Sequence, residues 1–222
     1  MKTFACWCAI LISASGFARA EDAEPSAAAA AAPFRRGAGI SYWDFSGLEG
    51  LDFRGAGGGG IVGQFRLRDS LAFELRLSGY AADETRNITT EDGQHFENDV
   101  TIVSMPLEAD VLFRLPLGEA LSLYGGPGVG YYLFDGQSNS DLGDKKIIYD
   151  IEVDDKGGCY VLAGLRARIS DNFCVFIEGK YTWVETSIEQ AVEVLHDIGI
   201  DWVSQKLDFS GPAFNLGLLF AF

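Results

Sequence analysis

Val103-Ser-Met-Pro-Leu-Glu-Ala-Asp-Val-Leu-Phe-Arg114 is the stretch that decides the fold. Val103, Met105, Leu107, Ala109, Val111 and Phe113 share one parity; Ser104, Glu108, Asp110 and Arg114 share the other. A repeat of two is the signature of an extended strand with unlike faces. The alternation runs for twelve residues, whereas strands of soluble sandwiches run to about five or six. A tilted strand crossing a bilayer needs about 9–11.

The same pattern recurs on both sides. Ile61, Gly63, Phe65 and Leu67 oppose Arg66 and Arg68; Leu71, Phe73, Leu75 and Leu77 oppose Glu74 and Arg76. Leu121, Leu123, Val129, Tyr131 and Leu133 form the apolar parity of a glycine-rich segment. Val161, Ala163, Leu165, Ala167 and Ile169 oppose Arg166 and Arg168. Phe173, Val175, Ile177, Tyr181 and Trp183 oppose Cys174, Glu178 and Lys180. Phe214, Leu216, Leu218, Phe220 and Phe222 end the chain. No charged residue falls on the apolar parity of any of these segments. An eighth strand lies in Gly37–Phe45, where Ile40 and Tyr42 compete with Trp43 and Phe45 for the apolar face.

Connections alternate in length. Asp69-Ser70, Pro116–Ala120 and Ser170–Asn172 are short; 83–99, 135–157 and 185–208 are long, with 47–56 intermediate. Tight turns at one end and long loops at the other suit an eight-stranded antiparallel up-and-down transmembrane β-barrel. The expected fold class is therefore all-β, with the apolar parity toward lipid. Within 186–198, Ile188, Ala191, Val192 and Leu195 fall at helical spacing, which predicts a short helix.

Residues 1–20 read as a signal peptide: Lys2, an apolar Phe4–Phe17 region, then Ala18-Arg19-Ala20. Its removal would take away Lys2, Arg19, Cys6 and Cys8 and leave the -15 chain at -17. Residues 21–36, with six alanines between prolines, read as a periplasmic linker, and 37–222 as the barrel.

These features resemble the small eight-stranded outer-membrane β-barrel family of the OmpA/OmpX type. The sharpest match is the terminal strand Phe214-Asn-Leu-Gly-Leu-Leu-Phe-Ala-Phe222, and Tyr124-Gly-Gly-Pro-Gly-Val-Gly-Tyr-Tyr132 is similar to the family's glycine-aromatic strands. The resemblance implies a location in the cell outer membrane, with membrane lipid and lipopolysaccharide as surroundings. It also implies that Phe214, Leu216, Leu218, Phe220 and Phe222 form the signature recognised by the outer-membrane insertion machinery.

Eleven charges have the inward parity: Arg66, Arg68, Glu74, Arg76, Glu108, Asp110, Arg114, Arg166, Arg168, Glu178 and Lys180. An eight-stranded barrel is just wide enough for side chains to fill it, so these charges are expected to form a paired network that plugs the lumen. Asp44 and tyrosine hydroxyls are candidate partners for the excess cations, and Glu108 with Arg166 is a candidate pair. A narrow porin-like channel is the competing reading. A lipid A-modifying enzyme is a further alternative, with His95 and His196 as the available histidines. Neither has a rim serine beside it in a triad-like pattern, so no catalytic residue is assigned.

The long loops hold nineteen of the thirty-two carboxylates. They offer an acidic outer surface to an unknown extracellular partner. Asp150, Glu152, Asp154 and Asp155 could supply oxygen ligands but lack the spacing of a calcium loop, so no metal or cofactor is assigned. Deletion of 140–155 is expected to leave the barrel intact. The acidic balance and lack of a basic stretch argue against nucleic acid, and a monomer is expected. Strand parity places Cys159 outward and Cys174 inward near Arg168, so two free thiols are expected.

Overall fold

The computed structural model describes residues 34–45, 55–89, 95–141, 146–193 and 200–221. The expected signal peptide, linker residues 21–33, His196 and Phe222 lie outside them. Eleven strands follow in chain order: β1 Phe34–Trp43, β2 Ala56–Arg68, β3 Leu71–Thr89, β4 His95–Pro116, β5 Leu121–Asp141, β6 Lys146–Val153, β7 Lys156–Ser170, β8 Phe173–Trp183, β9 Glu185–Glu193, β10 Ile200–Asp208 and β11 Gly211–Ala221.

Eight of them close a barrel. Neighbouring strands run β1-β2-β3-β4-β5-β7-β8-β11, and β11 returns to β1 from Arg35↔Ala221 to Trp43↔Ala213. Every pairing is antiparallel. Closure leaves these eight strands no free edge. Turns at Asp69-Ser70, 117–120 and 171–172 lie at one end, together with the start of β1 and the end of β11.

The first strand's parity is settled by burial. Trp43 and Phe45 are buried, whereas Ile40 and Tyr42 are exposed. Strand β1 starts at Phe34, so Arg35 and Arg36 belong to the barrel wall, not to a linker.

The outer surface inverts the soluble pattern. Ile40, Leu107, Val129, Ile177 and Phe214 are each more than half exposed. An apolar surface continuous around a barrel is far larger than the patches monomeric soluble proteins tolerate. Aromatic pairs bound it at both ends: Phe34 with Phe65 at 4.6 Å and Phe173 with Phe220 at 5.1 Å near the turns, Tyr181 with Trp183 at 4.8 Å toward the long loops. Phe34 and Tyr42 are eight residues apart on β1, about 20 Å of membrane depth once tilt is allowed for. Such girdles mark the two interfaces of a membrane barrel.

The long connections depart from expectation. Strands β3, β4 and β5 carry the ladder well past the membrane band, and β5 and β6 form a hairpin from Gly136↔Ile151 to Asp141↔Lys146. The expected helix in 186–198 is instead strand β9, paired with β10 from Glu185↔Asp208 to Glu193↔Ile200 and touching β6 at Val153↔Ile188; residues 194–199 lie outside the described residues. An isolated helix of that length is marginal in water. Ladder bonds to β10 and the β-branched Thr186, Ile188 and Val192 favour the strand. Thr186 also donates to the Asp154 carbonyl oxygen at 2.5 Å.

Candidate functional site

The polar lumen is assembled by register. Across β3 and β4, Glu74 lies opposite Asp110 and Arg76 opposite Glu108. Barrel closure then brings β8 across the lumen, with Glu178 and Lys180 two residues apart. Arg76 donates Nη1 to Glu178 Oε1 at 2.5 Å and Nη2 to Oε2 at 2.6 Å, a two-pronged pairing. Its guanidinium also contacts Glu74, and its Nε stands 3.5 Å from Asp110 Oδ2. Lys180 Nζ donates to Glu108 at 2.7 and 2.9 Å. All six side chains are buried.

Four carboxylates face two cations here, and neutral donors make up the difference. Tyr124 OH donates to Glu178 at 3.0 Å, Tyr132 OH to Glu108 at 2.9 Å and Tyr160 OH to Asp110 at 2.9 Å. Asn215 Nδ2 donates to Glu178 at 2.8 Å. The glycines of β5 make room for these rings. A Cβ on Gly128 would meet the Tyr160 ring, and one on Gly130 would sit 2.9 Å from Tyr132 Cε2.

Toward the long-loop end an aromatic layer covers the charges. Trp43 packs on Tyr80 at 5.4 Å and Tyr132 at 5.8 Å; Phe209 packs on Phe134 at 4.6 Å and Phe45 at 5.0 Å. Val100, Ile102, Val153 and Val184 complete this buried cluster. Toward the turns, Val62, Leu112, Leu162, Phe176 and Leu219 form a second one.

Of the eleven inward-parity charges, Glu74, Arg76, Glu108, Asp110, Arg166, Glu178 and Lys180 are buried. Arg66 and Arg114 are half-buried. Arg68 and Arg168 depart from the expectation: both are exposed. They sit beside turns where the register shifts, between Arg66 and Arg68 and between Arg168 and Ser170, so they leave the lumen at its rim. Glu108 does not take Arg166 as its partner. Arg166 Nη1 donates to Gln64 Oε1 at 2.7 Å, and Gln64 Nε2 in turn donates to Glu74 at 2.8 Å. Asp44 is exposed and balances nothing inside.

Sequence reasoning missed Arg35 and the aromatic layer, and gave Gln64 and Asn215, which have the inward parity, no part in the network. Arg35 is buried, its Nη1 3.4 Å from Cys174 Sγ. It shares parity with Trp43 across β1, but it falls in the 21–36 segment read as linker, so no inward place was expected for it. The thiols behave as expected: Cys159 and Cys174 are not joined in a disulfide, and Cys174 pairs in register with Arg168. Of the terminal strand, Phe214, Leu216, Leu218 and Phe220 face outward. Asp154 and Asp155 are exposed and already engaged. Asp154 Oδ2 accepts from Ser187 Oγ at 2.6 Å and Asp155 Oδ1 from the Phe134 amide at 3.0 Å. Among the described residues no group of His, Cys, Asp or Glu side chains is arranged to hold a metal.

A closed, girdled, outward-apolar barrel of eight strands defines an integral membrane protein of the outer-membrane class. The chain belongs to the outer membrane protein beta-barrel domain family, whose model matches residues 4–222, and it resides in the outer membrane. Among solved structures it is similar to the outer membrane protein OprG from Pseudomonas aeruginosa, at 14% identity, with 86% of this chain and 96% of that one covered and a TM-score of 0.64. It is also similar to the outer membrane protein AlkL, at 15% identity, with 91% and 96% covered and a TM-score of 0.49. Neisserial surface protein A matches at 14% identity, with 86% and 97% covered and a TM-score of 0.47. These likenesses concern the fold. No curated protein shows significant sequence similarity to the chain.

Proposed function

We propose that this chain is a non-enzymatic, monomeric outer-membrane barrel with a structural or surface-interaction role, its lumen closed by its own side chains. The observation that carries this is the stack of two filled layers. The ion-paired cluster around Arg76, Glu178, Lys180 and Glu108 lies directly beneath the Trp43–Tyr132–Phe209 aromatic layer. Ions crossing the lumen would have to break buried pairs and displace packed rings, each costing several kcal/mol.

The outward part of the reading rests on β3, β4, β5 and β6, which project beyond the girdles on the side of the acidic connections. That rim carries charge into the medium and offers ladder-paired strands to an extracellular partner. Phe220 and the outward row of β11 suit recognition by the insertion machinery, and lipopolysaccharide would surround the outer girdle. Purified protein in a planar bilayer should give no steady conductance. Stable open-channel steps would replace this reading by the narrow-channel one.

A further inference from the structure

The turn end of the lumen is electrostatically unlike its middle. A narrow cleft, with a cavity volume of about 20 Å3, is lined there by Arg35, Arg66, Arg68, Arg114 and Arg166. Asp69 is the one carboxylate among the described residues that line it. The cleft opens to solvent, because Arg68 and Asp69 at its rim are exposed. At its inner wall Arg166 is 5% exposed, is held by the neutral Gln64 amide oxygen and stacks 4.8 Å above the Tyr124 ring. The Nε atoms of Arg114 and Arg166 are buried with no hydrogen-bond partner.

Five guanidiniums line one cleft; Arg35 and Arg166 are buried, where uncompensated charge is costly, and Arg114 and Arg166 each keep an unspent Nε donor. Guanidinium forks match tetrahedral oxyanions in shape and charge. The phenol at Tyr124 and the amide at Gln64 fix Arg166 in place without neutralising it.

We propose that the turn-end mouth of the barrel binds a phosphate oxyanion, with Arg114 and Arg166 as the inner contacts and Arg66 and Arg68 as the rim contacts. Short turns face the periplasm in barrels of this kind. Two sources of the group meet that mouth: the phosphodiester of a phospholipid headgroup in the inner leaflet, and soluble phosphate. The site goes beyond the closed-barrel reading, since a lumen that conducts nothing can still bind an anion at one end.

The test uses the full chain refolded in nonionic detergent, with inorganic phosphate as the first probe and phosphatidylglycerol against phosphatidylcholine nanodiscs as the second. The readouts are the 31P linewidth of added phosphate and the midpoint of thermal unfolding, each compared with chloride at equal ionic strength. Wild-type protein should broaden the phosphate line or unfold later in phosphatidylglycerol. Arg66→Gln/Arg68→Gln, exposed and outside the packed interior, should weaken the apparent affinity by about tenfold, as should Arg114→Gln. A response to phosphate supports a soluble ligand; a response to phosphatidylglycerol alone supports a headgroup. If neither probe acts beyond chloride, or if the rim variant responds as fully as wild type, the site does not exist. Should Arg114→Gln fail to fold, the rim variant decides alone.

Discussion

In the middle of the lumen two cations stand within ion-pair distance of carboxylates on three strands; at the turn-end mouth, among the described residues, five guanidiniums line a cleft with one carboxylate. The two regions are built from the same residue types on the same inward parity. They differ in access to water and in what lies across the barrel. The middle is sealed by aromatic packing above and by Val62, Leu112 and Leu219 below. A lone charge there has no solvent to turn to, so both cations are held by carboxylates, and tyrosines serve as neutral donors to carboxylate oxygens. Near the turns Arg66 and Arg68 reach solvent, where a charge costs little. Parity selects which residues face inward, while depth decides whether they must be paired.

The largest effects should come from the middle. Arg76→Met would strand Glu74, Asp110 and Glu178 without their shared cation, and should lower barrel stability by about 3–5 kcal/mol in urea titrations in lipid vesicles. Trp43→Ala would open a void in the layer above, at a cost of about 3–5 kcal/mol. The outer face gives a control on parity. Leu218→Arg, with its side chain in lipid, should cost about 2–4 kcal/mol, and equal tolerance of arginine at Leu218 and serine at the buried Leu219 would break the assigned register. At the mouth, Arg166→Gln removes one hydrogen bond and a ring contact but also relieves repulsion. Its net effect should stay within about 1 kcal/mol. The smallest effect should follow from replacing 140–147 by Asn-Gly, which re-closes the β5–β6 hairpin at Asn139↔Ile148. Unfolding should then move by no more than about 0.5 kcal/mol. Deleting all of 140–155 is no longer neutral, because Val153 is packed in the aromatic layer and Asp155 holds the Phe134 amide.

The barrel itself was legible because lipid imposes a rule that sequence displays directly: one parity apolar, the other free to be polar. The turns at Asp69-Ser70 and Asp171-Asn172 and the place of Cys174 opposite Arg168 followed from counting in twos. What escaped was set by contacts distant in sequence. Glu178 meets Arg76 across 102 positions and Glu108 meets Lys180 across 72, pairings created only by closure. The projecting hairpins escaped for a related reason. Segment 185–193 places its apolar residues at helical spacing and becomes a strand because β10 and β6 lie beside it. Arg35 escaped because the alternation is hidden by glycines at 37 and 39, so residues up to 36 read as linker and the strand as starting at 37.

The central claim, that the middle of the lumen is a self-paired network, is tested most directly by a double-mutant cycle on Arg76→Met and Glu178→Gln, read by urea unfolding of the refolded barrel. The coupling should be about 2–3 kcal/mol, the double variant losing markedly less than the sum of the two singles. Additive losses would show that the two groups do not depend on one another and would contradict the account.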